Sequence, residues 1–224
     1  MVVTEGDHGA SIPTEPEAPM DGSAATLSRT AGQAGWEEAD TQLIVRAREG
    51  DLSALAVLFE RYHGLVERFV ANMVLNRDDA EDITQECFVR AFENLGRFRD
   101  QCRFTTWLLR IAVNLCTDRA RMRARRGSLE DREAADGLLW MTASREGDPV
   151  ENLEHERRAD AVRRALNGLP EHHRMMIVLR DVEEKSYEEI MTILKCTYGG
   201  AKLRVLRARR ALRDRLKPLL EVGE

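Results

Sequence analysis

Between Phe104 and Arg126 the apolar residues Phe104, Trp107, Leu108, Ile111, Ala112 and Leu115 return at every third or fourth position. That step builds one continuous stripe on an α-helix, whereas a strand would require alternation at every second residue. The remaining face carries Arg110, Asn114, Thr117 and Arg121. The helix then runs out through Arg119, Arg121, Arg123, Arg125 and Arg126, with Asp118 as the single acid of the stretch. A solvated helix face normally mixes both signs. A one-signed arginine ladder beside an amide and a hydroxyl suits phosphates along a strand and base edges among them. Taken alone, the stretch fits a basic surface helix equally well.

The rest of the chain tips that balance. Its 224 residues are 43% hydrophobic, 33% charged and only 5% aromatic, a composition that favours an all-α protein over a β-sandwich. The net charge of -5 hides an uneven distribution: basic residues gather in two helices, and acids in the first segment, one helix and a central segment. An isoelectric point near 5.7 therefore does not argue against nucleic acid. Cys87, Cys102, Cys116 and Cys196 show no metal-ligand spacing and no disulfide framework, and Cys87 and Cys116 fall near apolar helix positions, as buried reduced thiols would. No glycine loop for phosphates and no Ser/His/Asp arrangement is present, and His172-His173 read as surface residues. The expectation is a non-catalytic protein with no metal and no cofactor. No apolar run is long enough to cross a bilayer, and residues 1–35 lack the order of a signal peptide, so a cytoplasmic location with no membrane insertion is expected.

Four segments are expected: a disordered tail at 1–36, a helical module at 37–126, a flexible linker at 127–152 and a second helical module at 153–220. In the first module a helix opened by Asp78-Asp79 buries Ile83, Cys87, Phe88, Ala91, Phe92 and Leu95. It shows Glu81, Asp82, Gln85, Glu86 and Glu93 outward, either as a solvated face or as a dock for a basic partner. A polar loop, Phe98 to Arg103, leads into the cationic helix. The linker is acidic, but its Leu138-Leu-Trp-Met141 run is too apolar for a simple spacer and is expected to dock. In the second module Ser186-Tyr-Glu-Glu189 is a capping box, Lys195-Cys196-Thr197 a tight turn, and the last helix is densely basic from Lys202 to Lys217. A short helix, a tight turn and a long cationic helix make a helix-turn-helix, for which DNA is the natural ligand.

Three segments in this order resemble the extracytoplasmic-function (ECF) sigma factors of the sigma-70 family. They are Asp79-Ala-Glu-Asp-Ile-Thr-Gln-Glu86 with Phe88-Val-Arg-Ala-Phe92, Phe104 to Asn114, and Leu169-Pro-Glu with Ser186-Tyr-Glu-Glu-Ile190. The resemblance spans Asp40 to Leu220. It implies a first module that binds core RNA polymerase and melts the minus-ten element, a second that binds the minus-thirty-five element, and a linker that threads the polymerase. It further implies clamp contacts at Asp79, Glu81, Asp82, Gln85 and Glu86. The downstream element would fall to Phe98, Arg103, Arg110, Asn114, Thr117 and Arg121, and the upstream element to Gly200, Lys202, Leu203, Arg204 and Arg207. Partners implied are core polymerase through its clamp and flap, promoter DNA, and an anti-sigma factor, for a stress or envelope regulon. The competing reading is a helix-turn-helix regulator that works without polymerase, for which the acidic helix has no use.

One departure stands out. The recognition helix of such factors usually starts Gly-Thr-Val, then a basic residue and Ser, but here reads Gly199-Gly200-Ala201-Lys202-Leu203. Two hydroxyls are missing, and Gly200 costs roughly 1 kcal/mol of helix propensity against alanine. Leu203 either packs inside or offers its methyls to a thymine, which would shift the upstream base preference.

Overall fold

Helices form where the apolar spacing places them, and a computed structural model describes residues 40–74, 76–99, 101–126 and 149–221. The expectations for 1–36, for 127–148 and for the Leu138 to Met141 run lie outside these residues. All regular structure among the described residues is helical: α1 (40–48), α2 (Leu52–Val74), α3 (Arg77–Glu93), a 3-10 turn (Leu95–Arg97), α4 (Phe104–Arg126), α5 (Pro149–Asn167), α6 (Glu171–Ile177), α7 (Tyr187–Leu194) and α8 (Tyr198–Glu221). Helix α5 begins within the expected linker, at Pro149, a residue whose fixed φ suits a first helical turn. Helix α6 runs on through a π turn at Val178–Val182.

Local chemistry sets the joints. Gly50 takes φ +91 between α1 and α2, and Asp51 then accepts the backbone N–H of Ser53 at 2.9 Å and that of Ala54 at 3.3 Å, capping α2. Helix α1 is pinned back by the buried carboxylate of Asp40, which accepts from the Tyr62 hydroxyl and from Arg61. Burial, together with Asp40, pushes the Tyr62 phenol above its ordinary range.

In the first module α2, α3 and α4 close over Leu58, Val66, Phe69, Cys87, Phe88, Leu108 and Ala112. In the second, α5, α6 and α7 each pack against α8, around Leu166, Met176, Leu179, Ile190, Val205 and Ala208. The two cores merge, with α4 packed along α7 and α2 against α6 and the π turn. The two small helical domains expected from the sequence are present, and they pack on each other. The reason lies on α4, where Leu109, Val113 and Cys116 form a second buried strip, roughly a third of a turn from the first. Left in water, that strip would be an apolar patch; Thr106, on the same side, is buried and donates to Glu189 of α7 at 3.2 Å.

Leu108 is wholly buried at the centre of the first strip. Truncation by Leu108→Ala should lower the free energy of unfolding by about 2–5 kcal/mol in a urea titration, through lost transfer energy and the cavity left behind.

Candidate nucleic-acid interface

Helix α3 is capped by Asn76, which accepts the backbone N–H of Asp79 at 2.9 Å, and Asp78 and Asp79 stand in its first turn as expected. Asp79 itself turns inward, taking Arg119 of α4 at 2.7 Å and Arg123 as well. It is thus a clasp between α3 and α4 and does not share the exposed face with Glu81, Asp82, Gln85 and Glu86. Those four remain in water, where Gln85 donates to Glu81 at 3.4 Å and Glu86 takes Arg90 at 2.7 Å, an exposed pair of small energetic weight. Beside them, Val89 and Met122 are exposed on the walls of a groove of about 510 Å³ between α3 and α4, rimmed by Asp82 and Glu86.

The clasp also thins the arginine ladder. Arg119 and Arg123 are spent on Asp79, and Arg123 donates in addition to the carbonyl of Val74 at 3.3 Å. One face of α4 presents the arc of Arg110, Asn114, Thr117 and Arg121, with Arg110 and Thr117 half-buried, Asn114 and Arg121 exposed, and Arg121 at 3.6 Å from Asp118. The amide and the hydroxyl thus stand between two guanidinium groups on one arc.

The loop that precedes α4 is partly an internal structure. Phe98 is buried, edge-on to Phe104 at 5.7 Å between ring centres and 5.2 Å from Trp107, and its carbonyl accepts from Arg48. It therefore does not reach outward as a stacking platform. It helps line a recess of about 290 Å³, which Asp40 and Ile44 of α1, Gln101, Cys102 and Arg103 complete, with Arg103 exposed. The contribution of α1 escaped the sequence reading, since nothing local links Asp40 and Ile44 to a loop near position 100.

In the second module the capping box forms as expected: Glu189 N–H donates to Ser186 Oγ at 3.1 Å, and Ser186 N–H donates to Glu189 Oε2 at 2.8 Å. Lys195 takes the left-handed conformation at φ 48 and closes α7. Gly200 does not leave the first turn of α8 loose, since its N–H donates to Thr197 Oγ1 at 3.1 Å, and a Cβ at position 200 would stand 3.0 Å from that oxygen. Ala201, Val205 and Ala208 face the core, leaving Lys202, Leu203, Arg204 and Arg207 exposed. Leu203 is 46% exposed and so does not pack inside. Arg209 is offset by Asp181 of the π turn, with Nε at 3.2 Å.

Residues 58–126 match Sigma-70 region 2, and residues 159–212 match Sigma-70, region 4. The RNA polymerase sigma-H factor of Pseudomonas aeruginosa is 34% identical over 192 residues, covering 82% of this chain and 97% of that protein. The ECF RNA polymerase sigma-E factor of Escherichia coli is 35% identical over 184 residues, covering 81% and 96%. Two solved structures share the fold at 24% identity. CnrH in complex with the cytosolic domain of CnrY has a TM-score of 0.56, over 83% of this chain and 99% of that one. The sigma factor RpoE in complex with the anti-sigma factor NepR from Bartonella quintana has a TM-score of 0.54, over 72% and 96%.

The cysteines divide by burial, which decides their reactivity. Burial pushes the Cys87 thiol up to about 12 and raises that of Cys116 too, whereas Cys102 and Cys196 are only half covered. Alkylation with iodoacetamide at neutral pH, followed by peptide mass spectrometry, should modify Cys102 and Cys196 well before Cys87 and Cys116.

Proposed function

Because the chain belongs to the ECF sigma factors of the sigma-70 family, we propose that its acidic α3 face docks on core RNA polymerase while the exposed arc of α4 holds the opened promoter strand. It is an alternative sigma factor, which directs transcription initiation by bringing polymerase to selected promoters. Sigma factors are generally non-enzymatic regulators of transcription.

The observation that carries the division of labour is the segregation of charge. Glu81, Asp82, Gln85 and Glu86 line one side of the first module, and Arg110, Asn114, Thr117 and Arg121 another. An acidic patch with an apolar groove beside it suits basic helices of a large subunit, and opposite fields raise the encounter rate and set the register. The α4 arc then offers guanidinium groups to phosphates and an amide and hydroxyl to bases. A base turned out of the stack would enter the recess between α1 and the Gln101 to Arg103 loop. Protein contacts worth roughly 1–3 kcal/mol per base offset the lost base stacking without nucleotide hydrolysis.

The second module presents α8 to the upstream duplex. Lys202, Arg204 and Arg207 supply phosphate affinity, while Leu203, turned outward, meets apolar base edges in place of the missing hydroxyls, which shifts the preferred upstream sequence. A helix-turn-helix regulator working alone would leave the acidic face without a role. The cell would restrain such a factor in the cytoplasm with an anti-sigma partner that covers the apolar groove at Val89 and Met122.

Two measurements test this. Purified chain carrying Asp82→Lys and Glu86→Lys should bind core polymerase roughly tenfold more weakly, with unchanged helicity by circular dichroism; equal affinity refutes the docking face. Asn114→Ala should reduce permanganate reactivity of thymines in the promoter bubble while core binding persists, and an unaltered footprint removes Asn114 from strand capture.

A further inference from the structure

The outermost line of α8 is uncharged in its first two turns, although its neighbours are basic. At about 100° per residue, the side opposite the buried strip of Ala201, Val205 and Ala208 carries Gly199, Leu203 and Leu206. Leu203 is 46% exposed and Leu206 is 65% exposed. Lys202 lies on one flank of this line and Arg204 and Arg207 on the other, all three in water. The result is an apolar ridge between cationic shoulders.

The bare end of the ridge is as informative as its leucines. Gly200 has a reason inside the chain, since a Cβ there would stand 3.0 Å from the Thr197 Oγ1 that accepts its N–H. At Gly199 an added Cβ would meet nothing within 4 Å, and its φ lies outside the left-handed region. Neither packing nor backbone conformation therefore calls for glycine at this position, yet glycine costs a helix up to roughly 1 kcal/mol against alanine. A side chain is left out where something from outside has to come close to the backbone.

We propose that this ridge, in a reading that rests on α8 binding the upstream duplex, enters the major groove and recognises a row of thymine methyl groups. The groove is about 12 Å wide, so an α-helix about 10–12 Å across fills it and seats deeply only where its leading edge is slim. In a helix-turn-helix the first residues of the second helix lead, and there Gly199 brings the backbone up to the base edges. Leu203 and Leu206 follow about 4.5 Å apart along the helix axis, a separation comparable to the roughly 3.4 Å between successive bases of one strand. Each leucine gains by covering a methyl. Over a G·C pair it would instead strip water from the cytosine amino group or the guanine carbonyl and offer no partner in return. Lys202, Arg204 and Arg207 hold phosphates on either side, a contribution that is the same for every sequence.

Selection from a random duplex pool by the full chain bound to core polymerase yields the probe. It is compared with a copy in which deoxyuridine replaces thymidine in the upstream element, so that only the methyls are lost. The parent complex should bind the copy roughly fourfold more weakly for each contacted methyl removed. Leu206→Ala should weaken binding of the thymidine duplex and make the complex nearly indifferent to the replacement. Arg207→Ala should weaken both duplexes alike. Gly199→Ala should separate stability from affinity, with a thermal midpoint at or above that of the parent and duplex binding roughly tenfold weaker. An upstream element without neighbouring thymines, or equal binding of the two duplexes by the parent, overturns the methyl readout. A Gly199→Ala chain that melts earlier than the parent, or binds duplex as tightly, overturns the close approach. Should Leu206→Ala weaken the hold on core polymerase and leave duplex binding unchanged, the ridge is a protein dock instead. Recovery of no preferred duplex overturns the upstream role of α8 itself.

Discussion

Helix α4 has to satisfy three neighbours at once, and the arrangement of everything else follows from that. One strip, centred on Leu108 and Ala112, completes the core of the first module; a second, with Leu109, Val113 and Thr106, meets α7. The arc from Arg110 to Arg121 remains open on a third face. A helix buried on two sides can neither rotate nor slide without opening a cavity, so the spacing of its functional groups is held by packing and not by the loop before it.

Charge placement is managed in the same way. Fields of opposite sign on so small a module lie close to the range of about 8–10 Å over which salt screens them, and would collapse onto each other if the side chains could reach. Asp79 prevents this by taking Arg119 and Arg123. The two arginines nearest α3 share one carboxylate, while Arg110 and Arg121 lie on another side of the helix, Arg121 at 3.6 Å from Asp118. Some of the cationic charge is thus structural, and an account that assigns every arginine of α4 to phosphate overstates the electrostatic share of binding.

The aromatic residues show a similar economy. Phe98, Phe104 and Trp107 pack on one another beneath the recess, and Gln101, Cys102 and Arg103 line its rim.

Much of this was legible in the linear chain because its causes are local. Apolar residues three or four apart mark a helix wherever it packs; a serine followed three residues later by a glutamate caps α7; a glycine marks the break at position 50. The acidic face, the exposed α4 arc and the outward basic side of α8 are likewise properties of single helices. What remained hidden depends on residues that meet across the fold. Asp79 looks like one more surface acid until Arg119 and Arg123, 40 and 44 positions on, arrive beside it. Phe98 looks like a free aromatic until Phe104 and Trp107 enclose it, and the second strip of α4 looks like filler until α7 lies along it. No period or spacing encodes these encounters, because which helix covers which face is decided by total burial and charge pairing over the whole chain. Only the folded chain brings Glu183 to Arg68.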